Sequence, residues 1–237
     1  MTRLIAFDLD GTLTQHKSQL DEKNRAVLDR LRAHGYTLLM VGAGQCRRIY
    51  DQMGQYSIDI IGNYGLQMCR YNTAVGDLET VYDLTLPCDR ESVKERIIAL
   101  RHEFGYTEYS GEFVEFHPSG AVTFPILGTT AKLSDKLAFD PDRSKRRRVY
   151  SRVVDAFPEY TVFVGGSSSF DMAPKPYDKY YALNKYCSEH GFFHDEVIFA
   201  GDDYGIGGND ESVYKSDFGF ICVDDYTRLE NYLKDLL

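Results

Sequence analysis

No stretch of this chain stays apolar for the roughly 20 residues that a bilayer-spanning helix needs, so a helical membrane protein is not expected. Cysteine is sparse: Cys46, Cys69, Cys88, Cys187 and Cys222 are odd in number and never form a CxxC pair. That scatter argues against a disulfide scaffold or a zinc knuckle, and for thiols buried in a reducing compartment. Positive charge is outnumbered, 27 Lys and Arg against 36 Asp and Glu, for a formal net charge of −9. Such a surface repels polyphosphate backbones and anionic lipids, so neither nucleic acid nor membrane is an expected partner. Internal repeats and low-complexity tracts are absent as well. The opening MTRLIAFDLDGT carries acids where a signal peptide would continue its apolar run, and a cytoplasmic location is expected.

What is present is ordinary globular material. Hydrophobic residues make up 43% and charged residues 27% of 237 residues, enough for one large domain or two modest ones. The first 65 residues alternate strand and helix. Apolar runs at Leu4–Phe7, Thr37–Val41 and Ile58–Ile61 suit strands covered on both faces, and Asp21–His34 and Cys46–Met53 suit helices. The rhythm returns near the end, with helix at Asp178–His190, strand at Glu196–Ala200, short helix at Asp210–Lys215, strand at Phe218–Val223 and a last helix to Leu237. Between them Asp89–Phe104 and Arg143–Phe157 read as helices, and Phe113–Phe116, Ala121–Ile126 and Tyr160–Met172 as strands. The prediction is an α/β fold, a parallel-sheet Rossmann-like core at 1–82 and 176–237 with an α+β insert at 83–175. The basic run Arg143, Lys145, Arg146, Arg147, Arg148 precedes an apolar stripe, Val149, Val153, Val154 and Phe157, so its charges are expected on the solvated face.

Chemistry concentrates at two strand ends. Asp8 and Asp10, two apart in extended chain, project to one side where the first strand stops. Close carboxylates repel unless a cation or a proton lies between them. One carboxylate can take a phosphoryl group as a nucleophile, and its neighbour can protonate the leaving alcohol and deprotonate water. Gly11 permits the sharp turn that follows. A second acidic loop, Gly201-Asp202-Asp203-Tyr204-Gly205-Ile206-Gly207-Gly208-Asn209-Asp210, follows the apolar run 197–200. If both loops met at one sheet edge they would form an oxygen-only cage suited to Mg²⁺.

Taken together, Asp8-Leu9-Asp10-Gly11-Thr12-Leu13-Thr14, a later lysine, and the Gly201–Asp210 loop resemble the haloacid dehalogenase-like phosphotransferases. The insert, above all Gly165 to Lys179, resembles the eukaryotic-type phosphomannomutase branch, and the likeness covers nearly the whole chain. The resemblance implies Asp8 as nucleophile, Asp10 as general acid and base, and Lys179 as the cation that steadies the transferring phosphoryl group. It implies a Mg²⁺ held by Asp8, the backbone carbonyl of Asp10 and Asp202, with Asn209 and Asp210 orienting the metal site. It places Gly42, Ala43 and Gly44 at the phosphate, Lys17 beside the opening motif, and Ser169 and Asp171 at sugar hydroxyls. Two departures stand out. The Val41-Gly42-Ala43-Gly44-Gln45 stretch lacks the family's Ser or Thr, and three positions that carry arginine in the mutases match His117, Thr129 and Lys136. His, Thr and Lys cannot reproduce the planar fork of a guanidinium, so a single-phosphate substrate is expected. The expected function is a Mg²⁺-dependent phosphohydrolase of a phosphorylated sugar or similar small metabolite. Mutase chemistry on mannose phosphates is the alternative, and a non-catalytic sugar-phosphate-binding protein a lesser one. A homodimer is left open.

Overall fold

The apolar runs at the start of the chain become strands buried on both faces. In the computed structural model, which describes residues 2–237, β1 (Leu4–Phe7) is followed by α1 (Glu22–Ala33), β2 (Thr37–Val41), α2 (Cys46–Gln52) and β3 (Asp59–Gly62). Two strands absent from the sequence reading come next, β4 (Gln67–Asn72) and β5 (Asp77–Asp83). The chain then passes through α3 (Arg90–Phe104), β6 (Glu115–Phe116), β7 (Val122–Pro125), α4 (Leu133–Phe139), α5 (Ser144–Ala156), β8 (Tyr160–Phe163) and β9 (Ser169–Pro174). It closes with α6 (Lys179–His190), β10 (Val197–Gly201), α7 (Glu211–Tyr214), β11 (Gly219–Cys222) and α8 (Leu229–Tyr232). The single C-terminal helix expected to run to Leu237 is instead a short α8 between two 3₁₀ turns.

These elements sort into two compact units. The first holds the chain up to Leu84 with Asp178–Gly205 and Asp210–Leu237; the second holds Thr85–Tyr177 with Ile206–Asn209. The first unit contains a seven-stranded sheet in the order β11-β10-β1-β2-β3-β4-β5. Its five strands from β11 to β3 are parallel, whereas β4 and β5 close the edge as an antiparallel hairpin. Alternation along the parallel strands divides the core. Ile5, Phe7, Leu38 and Met40 pack with Val27, Leu28 and Leu31 of α1, while Leu4, Ala6, Leu39 and Val41 pack with Ala182, Leu183 and Tyr186 of α6. The strand order reverses at β1, with β2 on one side and β10 on the other. Open α/β sheets bind ligands beyond the carboxyl end of such a strand.

The second unit has a four-stranded antiparallel sheet, β6-β7-β9-β8. Val122, Phe124, Val162, Phe170 and Met172 form its core with Val93, Ile97 and Leu100 of α3 and with Val153 of α5. The basic run departs from expectation here. Lys145 and Arg148 are exposed, but Arg146 is fully buried. Its Nε donates to Asp140 Oδ2 at 2.8 Å, and NH1 donates to the carbonyls of Gly165, Gly166 and Ser169 at 2.6, 3.2 and 2.9 Å. A helical stripe cannot reveal this, because the partners that repay desolvation lie outside the helix. The residues 206–209 join this unit through Val164 N–H, which donates to Gly207 O at 2.7 Å, and Arg147 Nε, which donates to Ile206 O at 3.1 Å. All five cysteines are free thiols.

Candidate active site

Asp8 is the first residue past β1, at the strand-order reversal. Its backbone N–H donates to Ala200 O of β10 at 2.9 Å, so the two acidic loops leave the sheet side by side. Carboxylate oxygens of Asp8, Asp202 and Asp210 lie within 4.8 Å of one another. Gly11 makes the approach possible. Its φ is +103°, and a β-carbon there would stand 2.4 Å from Asp202 Oδ2. Thr12, fully buried, donates its hydroxyl to Asp202 Oδ1 at 3.0 Å.

Lys179 enters from the first turn of α6. Asp178 caps that helix by accepting the N–H of Tyr181 at 2.7 Å, which sets the lysine one residue inside it. The ammonium is fully buried and bridges Asp8 Oδ1 at 2.5 Å and Asp210 Oδ1 at 2.7 Å. Asp210 Oδ2 accepts the N–H of Asp203 at 3.0 Å, so this acid braces its own loop while pairing with the lysine. Burial works against the lysine charge, but Asp210 and Asp8 outweigh it and hold the ammonium above its ordinary value. Burial pushes the Asp8 carboxyl well up; Lys179 opposes the rise, and the carboxylates of Asp210 and Asp202 add to it. Asp202 is pushed up to about 6 by burial and by Asp210, against Lys179 and the Thr12 hydroxyl. Asp8 and Asp202 thus hold their protons more tightly than ordinary carboxyls, as acids short of positive charge do. An all-oxygen donor set of this size fits a hard divalent cation.

Asp10 stands apart from that cluster. Its Oδ1 accepts the N–H of Lys17 at 2.7 Å and Nε2–H of Gln52 at 2.6 Å, and its Oδ2 lies 3.8 Å from both His16 Nδ1 and Arg48 NH1. Lys17 thus meets Asp10 through its backbone, at a φ of +59°. The Gly42-Ala43-Gly44 turn leaves β2 beside these residues, and the first N–H of α2, on Cys46, is taken by Gln67 Oε1 at 2.7 Å. Asn209 falls in the 206–209 stretch that groups with the second unit. Gln52, Arg48 and Thr12 escaped the sequence reading. Only the i, i+4 spacing of Arg48 and Gln52 on one helix face hinted that the first two act together.

The remaining expected residues lie in the second unit. His117 Nε2 is 3.0 Å from Thr123 Oγ1, and Thr123 Oγ1 donates to Asp171 Oδ1 at 3.1 Å. Ser169 Oγ donates to Gly165 O at 3.1 Å, and burial raises the Asp171 carboxyl. Thr129 Oγ1 accepts the N–H of Glu112 at 2.9 Å, and Lys136 Nζ donates to Thr129 O at 2.9 Å. The structure therefore gathers His117, Ser169 and Asp171, and ties Lys136 to the Thr129 backbone.

The parallel sheet, its acidic loops and the buried lysine define a haloacid dehalogenase-like protein, and the family model described as haloacid dehalogenase-like hydrolase matches residues 5–102. The model described as eukaryotic phosphomannomutase matches residues 89–223, more than half of the chain, and the chain belongs to that family. It is 27% identical over 223 residues to a phosphomannomutase of Saccharomyces cerevisiae, covering 89% of this chain and 84% of that protein. It is 26% identical over 246 residues to phosphomannomutase 1 of Dictyostelium discoideum, covering 98% and 96%. Among solved structures, a phosphatase of the haloalkanoate superfamily from Bacteroides thetaiotaomicron superposes with a TM-score of 0.66 at 14% identity, covering 100% of this chain and 95% of that one. The truncated IMP-nucleotidase of Plasmodium falciparum gives a TM-score of 0.68 at 14% identity, covering 100% and 70%. These structures establish a shared fold.

Proposed function

We propose that this chain moves a phosphoryl group on a sugar phosphate through an aspartyl-phosphate on Asp8, as a phosphomannomutase. The observation that carries the reading is the buried Lys179 joined to Asp8 and Asp210 within a near-full-length likeness to proteins of that name. Hydrolysis, the first expectation from sequence, becomes the second reading.

Lys179 holds Asp8 by one oxygen and leaves the other to attack phosphorus. As the Asp8–phosphorus bond forms, the bond from phosphorus to the sugar oxygen breaks, and Asp10 gives that oxygen a proton. In the return step a sugar hydroxyl gives its proton to Asp10 and attacks the aspartyl-phosphate, releasing Asp8. Asp8, the Asp10 carbonyl and Asp202 are assigned to a Mg²⁺, braced by Asp210 and Asn209; when bound it offsets the carboxylate charge and draws electron density from the phosphoryl oxygens. Gly42, Ala43 and Gly44 are assigned to the phosphate, and Ser169 and Asp171, with His117, to the sugar.

One observation favours hydrolysis instead. Positions 117, 129 and 136 carry no guanidinium, and the structure commits His117 to Thr123 and Lys136 to the Thr129 carbonyl. That leaves little to hold a second phosphate. Incubation with mannose 1-phosphate, Mg²⁺ and a hexose bisphosphate separates the readings. Mannose 6-phosphate with little inorganic phosphate is the expected result; stoichiometric inorganic phosphate would establish the hydrolase, and no turnover of any sugar phosphate would remove both.

A further inference from the structure

One guanidinium beside the acidic loops has donors to spare. Arg48, in the first turn of α2, does not extend outward but lies against Gly44: a β-carbon on that glycine would stand 2.2 Å from NH2 and 2.6 Å from Nε. A side chain at position 44 and the guanidinium in its present place exclude one another. Its NH1 donates to Gln52 Oε1 at 3.1 Å. The amide of Gln52 has a determined orientation, because its Nε2 donates to both Asp10 Oδ1 at 2.6 Å and Thr14 Oγ1 at 3.1 Å. Arg48 is thus oriented through one nitrogen, while among the described residues its Nε and NH2 have no hydrogen-bond partner. Asp10, at 3.8 Å, is its nearest carboxylate and lies beyond hydrogen-bonding distance.

The topology says where those donors are. Strands β1 and β2 run parallel with Phe7 opposite Met40, so the turn through Gly44 leaves the sheet beside Asp8 and Asp10. Residues 41–45 bring no hydroxyl to that edge. A planar fork with two unspent N–H groups, half exposed at the ligand-binding end of a parallel sheet, matches two oxygens of a tetrahedral anion.

We propose that Arg48, its guanidinium seated in the space that Gly44 leaves open, is a substrate-binding residue whose Nε and NH2 grip the phosphoryl group that Asp8 accepts. This inference rests on the phosphoryl-transfer reading above. The rival account is purely structural, with Arg48 serving only to orient Gln52 and through it Asp10.

The test is calorimetric titration of the full-length protein with inorganic phosphate in the presence of Mg²⁺, which needs no turnover, alongside steady-state hydrolysis of p-nitrophenyl phosphate. Arg48→Ala should weaken phosphate binding about 10- to 100-fold, the range for losing a charge-assisted pair. Adding a hydroxyl in the vacated space, Gly44→Ser with Arg48→Ala, should recover about tenfold of that loss. Gly44→Ser alone, which displaces the guanidinium, should bind more weakly than the parent. If Arg48→Ala binds phosphate within about twofold of the parent while kcat falls, the arginine acts only through Gln52 and the proposal is overturned. A parent protein that binds phosphate but turns over nothing would count against the phosphoryl-transfer reading and leave the binding comparison intact.

Discussion

Lys179 is a charge that burial alone would expel, and two carboxylates keep it protonated. Replacing it with Met removes the cation from between Asp8 and Asp210 and leaves two buried acids facing each other with no lysine between them. Breaking a buried pair of this kind destabilises by about 3–5 kcal/mol, measurable by urea denaturation. Asp8→Asn should reduce turnover to background with the fold retained, since an amide cannot form the aspartyl ester; near-parental rates would refute the nucleophile. Loss of Asp10 should slow the reaction by roughly 10²–10⁴, the range for general acid–base catalysis. Asp202 gives a pH dependence with a definite sign. Its folded value, near 6, lies above that of an unfolded carboxyl, so the folded protein binds more protons in that window and loses stability as pH rises through it. A divalent cation competes with those protons, so Mg²⁺ affinity should weaken as pH drops below about 6, as titration calorimetry at several pH values would show. Asp202→Asn should remove its share of that pH dependence and leave the part due to Asp8.

At the scale of elements, α5 and the turn before it are held by one ion pair. Asp140 accepts the N–H groups of Lys145 and Arg146 at 2.9 and 3.1 Å as well as Arg146 Nε, and these bonds outweigh burial to keep its carboxyl below the ordinary range. A depressed folded value stabilises at pH above the unfolded carboxylate pKa and loses that effect as acid protonates the folded group. Asp140→Asn should therefore lower stability by about 3–5 kcal/mol at neutral pH, with the gap from the parent closing below about pH 4. Chemical denaturation at pH 7 and in steps downward from about pH 4 checks both halves. The same helix shows why element reading falls short. Its register was plain from Val149, Val153 and Phe157, but nothing local distinguishes Arg146 from Arg148. Strands β1 and β2 were legible because unbroken apolar runs leave few alternatives. Helix α4 was not, since its 7 residues offer little beyond the apolar pair Leu133 and Leu137, and both of these are exposed. The β4–β5 hairpin escaped for a related reason. Its outer strand has no buried residue, and Asp77, Glu79 and Asp83 put charge on it, as suits a protected edge.

The whole molecule puts its chemistry where the two halves of a sheet meet. That location could be read in advance from two acid-rich loops, each following an apolar strand. The bonds Lys179 makes and the identity of Arg48's neighbours could not, because both depend on residues that tertiary packing alone brings near. Metal linkage should appear at this scale. Saturating Mg²⁺ at about 100 times its dissociation constant adds roughly 2.7 kcal/mol to stability. Chelation should reverse that gain along with turnover, and thermal melts with and without chelator measure it; Asp202→Asn should be insensitive to both.

The hydrogen bond from Thr12 to Asp202 spans 190 positions of chain, and β1 is flanked by β10, a strand translated long after it. A ribosome-bound intermediate that has exposed Asp8 still lacks the second acidic loop, so this carboxylate emerges long before the acids it lies beside. A message cut short before the second acidic loop yields a chain in which Asp8 stands without Asp202 and Asp210.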